Sequence, residues 1–103
     1  MEVAGAHYQQ ASVARILGIY PDAKQPLADW YDMAKKAAWS NLAETRRDFP
    51  HADPCGQCTI FNIKGNQYRL ITKINYPWQV IYIRFVLTHA VYDKGRWKHD
   101  CRC

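Results

Sequence analysis

The sequence predicts a single α+β domain, with helices in the first half and an antiparallel sheet in the second. Three observations support this prediction. The chain has 103 residues, which is the size of one domain. Hydrophobic residues make up 49% of it and charged residues 22%, as in an ordinary folded protein. Apolar residues recur at helical spacing in the first half and at strand spacing from residue 59 onward.

Two antiparallel helices joined by a short turn are predicted first. Residues 7–20 carry an apolar stripe at helical spacing, and Pro21 ends that helix. The second helix is predicted from Pro26 to about Ala38, with Asp22 as a candidate N-cap. Asn41 and Glu44 then indicate the cap of a short third helix, and residues 51–57 are predicted to form a loop.

The second half predicts a meander of three strands, at residues 59–63, 67–76 and 79–87. Residues 64–66 suit a tight turn, and Pro77 with Trp78 separates the last two strands. The helices are predicted to pack on one face of this sheet. The side buried beneath them is expected to carry Leu70, Ile74, Ile81, Ile83, Phe85 and Leu87.

The opposite face of the sheet is predicted to be basic, with Arg69, Lys73, Tyr82 and Arg84 together. Cations interleaved with an aromatic ring suit single-stranded RNA, because guanidinium groups hold phosphates and rings stack on bases. The alternative is that these arginines pair with acids. Acids are scarce here, since residues 55–103 carry eight bases and two acids within a formal net charge of +5.

A histidine and a tyrosine follow the third strand. His89 and Tyr92 are three residues apart, so one turn of helix would place them on one side. Imidazole is the side chain best suited to move protons near neutral pH, which makes His89 a candidate for proton transfer. The remaining histidines, His7, His51 and His99, are interpreted as surface residues.

The four cysteines occur as two close pairs, Cys55 with Cys58 and Cys101 with Cys103. With His99 nearby, a zinc site is conceivable, but the second pair is cramped and terminal. Free thiols are therefore the expectation. Neither a secretory signal nor a disulfide framework is expected, and no apolar run approaches the roughly 18 residues of a membrane helix.

A series of motifs in register resembles the HigB toxin family of the RelE/ParE superfamily. The motifs are Phe61-Asn62-Ile63-Lys64-Gly65-Asn66, Tyr68-Arg69-Leu70-Ile71, Lys73-Ile74-Asn75-Tyr76, Tyr82-Ile83-Arg84-Phe85-Val86, Thr88-His89 and Tyr92-Asp93. The first half adds similar residues at Tyr20-Pro21-Asp22-Ala23, Trp30-Tyr31, Trp39 and Phe49-Pro50. The resemblance covers roughly residues 14–94 and is specific because the motifs keep their order and spacing.

The resemblance implies a RelE/ParE-like fold and a toxin of a type II toxin–antitoxin system. It implies a cytoplasmic endoribonuclease that cuts mRNA in the ribosomal A site and needs no metal or other cofactor. The 2′-OH of one nucleotide would attack its own 3′ phosphate and leave a cyclic phosphate. The implied partner is a HigA-like helix-turn-helix antitoxin, and no membrane is involved.

This chemistry suggests roles for the residues identified above. The catalytic residues are expected to be two arginines that clamp the phosphate, with a histidine and a tyrosine for proton transfer or base stacking: Arg69, Arg84, His89 and Tyr92. RNA contacts are expected from Lys64, Lys73, Tyr82 and Lys94. Which of His89 and Tyr92 is the acid stays open.

Some residues depart from the family pattern. Leu87 stands where the family usually has glycine, and Val91 where it often has an acid. Residues 1–103 are interpreted as one toxin domain, in which residues 95–103 form a basic tail without a family counterpart. Two other functions stay open: a toxin of the same fold that inhibits gyrase without nuclease activity, and a zinc-stabilised nucleic-acid-binding module.

Overall fold

A computed structural model describes residues 1–5 and 7–103; of residues 5 and 7–11 it describes the backbone alone, so the prediction for His7 lies outside the described side chains. The molecule is an α+β fold with a five-stranded mixed sheet. Its elements are β1 Glu2–Gly5, α1 His7–Ile19, a 3₁₀ turn Pro21–Ala23, α2 Lys24–Lys36, α3 Leu42–Asp48, β2 Asp53–Cys55, β3 Cys58–Ile63, β4 Tyr68–Asn75, β5 Val80–Thr88, α4 His89–Asp93 and α5 Lys98–Cys101. The strand order is β1-β5-β4-β3-β2, with β1 parallel to β5 and the other pairs antiparallel.

The prediction of a three-stranded, wholly antiparallel sheet was wrong at both edges. The first edge strand, β1, has four residues, too few for a strand period to stand out in the sequence. The other edge strand, β2, falls within the predicted loop and contains Pro54. Proline is tolerated there because one side of an edge strand donates no hydrogen bonds to the sheet.

The cap of the short third helix was predicted correctly. The side chain of Asn41 accepts a hydrogen bond from the Glu44 amide at 2.9 Å, and the Glu44 carboxylate accepts one from the Ser40 amide at 2.8 Å. Asp22 is not the N-cap of α2, which begins after Ala23. The Asp22 carboxylate instead accepts hydrogen bonds from Lys64 and Tyr68, which tie the 3₁₀ turn to the sheet.

The inner face of the sheet, defined as the face against α1 and α2, holds the main core. Phe61 lies at its centre, with ring centroids 5.4 Å from Trp30, 5.2 Å from Phe49 and 6.2 Å from Trp39. Leu70, Ile81 and Val86 complete it among the strands. A buried aromatic cluster of this size supplies much of the apolar burial that stabilises a small domain.

The outer face, opposite the helices, has a second apolar cluster that the alternation did not predict. Phe85 and Leu87 pack there against Ile71, and Val86 is buried on the inner face instead. The cause is a β-bulge, since the register jumps from Ile71 opposite Phe85 to Thr72 opposite Ile83. One extra residue in β5 reverses the faces of all the residues that follow it.

The prediction of free thiols was also wrong. Cys55 is bonded to Cys103 and Cys58 to Cys101, so both cysteine pairs are joined across 48 and 43 residues of sequence. Residues 95–103, the C-terminal segment, fold back onto the outer face, where Cys101 is fully buried. A pairing between such distant residues depends on the tertiary fold and leaves no local periodicity in the sequence.

Helices in the described ranges, 1–5 and 7–103, are all too short or too polar to cross a bilayer.

Candidate functional site

An open cleft of about 290 Å³ lies on the outer face near the β2 edge. Strands β3 and β4 supply its floor, α4 supplies one wall, and α3 with the loop before β2 supplies the other. The residues that line it and can hydrogen-bond through their side chains are Arg46, His51, Asp53, Asn62, Arg69 and Tyr92. Two of the four predicted catalytic residues, Arg69 and Tyr92, therefore meet here.

Arg69 forms the buried end of this cleft. It sits opposite Asn62 in the β3–β4 register and is only 8% exposed. Its Nη1 donates hydrogen bonds to the carbonyl oxygens of Asn66 at 3.0 Å and Tyr68 at 3.3 Å, and its Nη2 donates to the Asn66 side chain. Among the described residues these acceptors are neutral and Arg69 forms no ion pair, so its charge remains available to an anion.

Tyr92 covers the Arg69 guanidinium. The Arg69 Cζ lies 5.1 Å from the centre of the Tyr92 ring, a cation–π contact. The Tyr92 ring also stacks on Trp97, with centroids 4.9 Å apart and planes 12° apart. Burial raises the pKa of Tyr92 above its ordinary value, and the negative charge of Asp53 raises it further. The phenol is therefore protonated at neutral pH and can act as a proton donor.

The sequence did not identify Arg46 and His51 as residues of this cleft. The Nε of Arg46 donates to the Ala52 carbonyl oxygen at 2.9 Å, which holds the loop before β2 against α3. His51 was interpreted as a surface residue, and it is indeed exposed, but it lines the same cleft as Arg69. The sequence offered one indication of this position. His51 follows Phe49-Pro50, in the loop that connects α3 to the sheet.

Arg84 lies on the outer face but is not in this cleft. Its Nη2 and Nε donate to the two carboxylate oxygens of Asp100 at 2.7 and 2.8 Å. Lys73 approaches the same carboxylate at 3.8 Å. The basic residues that the sequence placed together thus include two that share one acid, and that acid comes from the C-terminal segment.

His89 lines a different cleft, at the junction between β4, α4 and the 3₁₀ turn. Its amide donates to the Gln67 carbonyl at 3.0 Å, and its Nδ1 lies 2.8 Å from the Asp93 carboxylate. Thr88 caps α4 through a hydrogen bond from the Val91 amide at 3.3 Å. The expected convergence of Arg69, Arg84 and His89 on one cleft is therefore not the arrangement of this structure.

The predicted RNA-binding residues are spread over several surfaces. Tyr82 is exposed on the outer face and shares a groove with Lys73. Lys94 lines an apolar groove with Phe85 and Trp97. Lys64 is paired with Asp22 at the 3₁₀ turn, away from the Arg69 cleft; this pair lowers the pKa of Asp22.

Tyr68 also contacts the 3₁₀ turn, because its hydroxyl donates a hydrogen bond to the Asp22 carboxylate. Burial raises the pKa of Tyr68, and the hydrogen bond to Asp22 raises it further, to about 12. Tyr68 therefore stays protonated and serves to anchor the turn, in contrast to Tyr92, whose ring faces an open cleft.

Metal-binding potential is limited to one group in the described ranges 1–5 and 7–103. Ligand atoms of Cys58, Asp100 and Cys101 lie within 4.8 Å of one another. Both sulfurs belong to a disulfide, whereas zinc requires thiolates. In the disulfide-bonded form, this group therefore lacks the thiolate ligands of a zinc centre.

Comparison with known proteins identifies the family of this chain. A family described as HigB toxin, the RelE-like toxic component of a toxin–antitoxin system, matches residues 23–95. The mRNA interferase HigB of Escherichia coli O6:H1 (strain CFT073) is 28% identical over 78 residues, which cover 73% of this chain and 76% of that protein. The family match spans α2, α3, β2 to β5 and α4, and so includes every residue that lines the Arg69 cleft. The chain therefore belongs to the HigB toxin family.

Proposed function

We propose that this protein is a toxin that cleaves mRNA on the translating ribosome, by attack of a 2′-OH on the adjacent phosphate. The main support for the proposal is the environment of Arg69. This residue is nearly buried, forms no ion pair among the described residues, and lies at the base of an open cleft beside a protonated tyrosine. A fixed cation in a partly dehydrated site stabilises the extra charge of a pentacoordinate phosphorus. The mRNA interferase relative supports the choice of RNA as substrate.

Each step of this cleavage has a candidate residue. Arg69 binds the scissile phosphate, and Arg84 provides a second cation on the same face. Tyr92 protonates the leaving 5′ oxygen, since its raised pKa keeps the phenol protonated until the transition state develops. The two products are a cyclic phosphate and a free 5′-OH, and the reaction is proposed to use no metal or other cofactor.

The proton of the 2′-OH requires an acceptor, for which two histidines are candidates. His89 is the residue that the sequence favours, one helical turn before Tyr92. His51 is the residue that the geometry adds, because it lines the same cleft as Arg69 and Tyr92. A base must reach within hydrogen-bond distance of the proton it removes, which favours His51 because His89 lines a different cleft.

Substrate and antitoxin are proposed to share the outer face. Lys73, Tyr82, Lys94 and Lys64 are proposed to hold the RNA backbone and bases, which places the message along the sheet and around its α4 end. A HigA-like helix-turn-helix antitoxin would neutralise the toxin in the cytoplasm, where mRNA is translated. The single toxin domain is proposed to include the C-terminal segment, whose basic side chains would add contacts to RNA phosphates.

A translation-coupled cleavage reaction tests the proposal. Wild-type protein is expected to cut the message and to leave 2′,3′-cyclic phosphate ends. Arg84→Ala and Tyr92→Phe are expected to slow cleavage at least tenfold, and His51→Ala and His89→Ala identify the base by comparison with His99→Ala. A message cut equally fast by the Arg84, Tyr92 and both histidine variants would refute the mechanism.

The two alternatives have distinct signatures. A gyrase inhibitor of the same fold would leave transcripts intact and cause broken DNA to accumulate on expression. A zinc-stabilised module is less well supported, because the structure commits all four cysteines to disulfides. Metal analysis that found about one zinc per chain would restore it.

A further inference from the structure

The C-terminal segment places a carboxylate where a phosphate would bind. Asp100 presents both oxygens to the Arg84 guanidinium, at 2.7 and 2.8 Å, and one of them to Lys73 at 3.8 Å. This is the two-pronged geometry with which arginine also holds phosphate. Hydrogen bonding to Arg84 lowers the pKa of Asp100, so the carboxylate is charged at neutral pH. An anion and Asp100 cannot use the same guanidinium edge together.

Covalent bonds hold this carboxylate in place. Cys101 is adjacent to Asp100 and bonded to Cys58, and Cys103 is bonded to Cys55. The contact between the segment and the β2–β3 turn is also close, since the Gln57 amide donates to the Cys101 carbonyl at 2.8 Å. A Cβ atom at Gly56 would lie 2.2 Å from that carbonyl oxygen, so only glycine fits there.

A tethered group competes with a free ligand at an effective concentration set by its tether. Even a short flexible link gives millimolar values, and two disulfides that fix the segment raise them further. Without the disulfides, the segment is held by Trp97, by the burial of Cys101 and by the charge pair itself. The strength of the competition therefore depends on the redox state of the cysteines.

We propose that the disulfide-bonded C-terminal segment is a redox-controlled internal inhibitor, in which Asp100 occupies Arg84 and Lys73 until reduction lets nucleic-acid phosphate replace it. This inference rests on the proposed function, because it concerns the regulation of the same basic face. A dithiol reductant gives two electrons and two protons to each disulfide. One S–S bond breaks, two cysteine thiols form, and the dithiol itself becomes a disulfide.

Reduction is expected to release the segment and leave the domain folded. The main core lies on the inner face and contains none of the four cysteines. In the outer apolar cluster, Trp97 and Cys101 would no longer cover the strand residues, but the strand residues would still contact one another. Reducing compartments such as the cytosol keep most thiols free, so the released form is the one expected during translation.

Binding of a short fluorescein-labelled single-stranded DNA tests the inference separately from catalysis. DNA lacks the 2′-OH and cannot be cut by the proposed mechanism, so its affinity reports phosphate binding alone. Anisotropy titrations compare oxidised protein with protein reduced by dithiothreitol, with EDTA present to keep metals from the thiols. The variants are Asp100→Asn, Arg84→Gln and Asp32→Asn, a matched control at a surface pair with Lys35.

Reduction is expected to tighten binding by wild-type protein roughly five- to tenfold, within the usual range of coupling between two ligands. Oxidised Asp100→Asn keeps both disulfides and is expected to show a similar gain, whereas Asp32→Asn behaves as wild type. Arg84→Gln abolishes both gains. The inference is overturned if thiol titration finds the cysteines reduced and affinity is unchanged, if oxidised Asp100→Asn shows no gain, or if the gain persists without Arg84.

Failure of the two proposals can be told apart. A protein that binds the DNA more tightly on reduction, through Arg84, but never cuts a message supports the inhibitor and refutes the nuclease. A protein that cuts mRNA equally well in both redox states, with DNA binding unchanged, supports the nuclease and refutes the inhibitor.

Discussion

The inner face of the sheet buries Trp30, Trp39 and Phe61 beneath helices, whereas the outer face buries Ile71 beneath a segment held by two disulfides. Charged groups follow the same division. Arg69, Arg84 and Lys73 all belong to the outer face, and the inner core contains no charged side chain among its described residues. One face therefore stabilises the fold, and the other carries the groups that can bind an anion.

This difference explains how a small domain can hold a cation out of water. Keeping Arg69 buried without a carboxylate costs free energy, which the surrounding carbonyl groups offset only in part. The aromatic core on the inner face stabilises the fold enough to offset this cost on the outer face. The two faces are therefore expected to respond differently to mutation, to disulfide reduction and to acid.

The largest effect is expected in the inner core. Phe61→Ala removes the ring that three other aromatic side chains contact, and it is expected to lower the free energy of unfolding by about 3–5 kcal/mol. Tyr82→Ala, on the exposed outer face, is the control and is expected to change it by less than about 0.5 kcal/mol. Urea denaturation of both variants measures the difference, and equal losses would erase the distinction between the faces.

Opening both disulfides is expected to have the next largest effect. Each closes a loop of more than 40 residues, and the chain-entropy account gives a loss of about 4 kcal/mol when such a loop opens. Cys55→Ser with Cys103→Ser leaves Cys58–Cys101, which closes nearly the same loop. Denaturation of that variant is therefore expected to show much less than half of the loss produced by full reduction. A loss of half that amount would contradict this expectation, because it would show that the two disulfides act separately.

Glycine substitution tests the close contact of the C-terminal segment. Gly56 and Gly65 both have positive φ, 56° and 63°, so alanine strains the backbone equally at either position. Only Gly56 meets another backbone, at Cys101 and Arg102. Gly56→Ala is expected to destabilise the protein by about 1–3 kcal/mol more than Gly65→Ala, as measured by thermal unfolding. A smaller loss at Gly56 would contradict the close docking.

Acid is expected to loosen the outer face through Asp100. Because its folded pKa lies below the ordinary value of 3.8, its contribution is fully present above that pH and is lost as the pH falls further. The NMR signal of the Arg84 Nε–H proton, which donates to Asp100, is expected to shift in this range. Asp100→Asn removes the transition, and a transition that survives in that variant would belong to another group.

Local pattern was sufficient to predict the short third helix and the three long strands. The Asn41 cap and the break at Pro77 act over a few residues, so the sequence shows them directly. The bulge at Arg84 could not be predicted, because Ile81-Tyr82-Ile83-Arg84-Phe85-Val86 fits an unbroken alternation equally well. That one residue moved Val86 into the main core and Phe85 out of it.

The candidate site was only partly visible for the same reason. Arg69 and Tyr92 were identified from charge and spacing, and the fold brings them together. His51 and Asp100 acquire their importance from contacts across the sheet, which no local motif encodes. The Cys55–Cys103 bond is the extreme case, since 48 residues separate its ends.

Cleavage by an Arg69 variant is the decisive measurement for the proposed catalytic role of the buried arginine. Arg69→Gln removes the charge and leaves a shorter polar side chain, and Arg47→Gln, at an exposed arginine of α3, is the matched control. With both proteins folded by circular dichroism, Arg69→Gln is expected to cut mRNA at least about 100-fold more slowly than wild type, a loss typical of removing one transition-state contact. Arg47→Gln is expected to cut at the wild-type rate. Wild-type cleavage by folded Arg69→Gln would contradict the account.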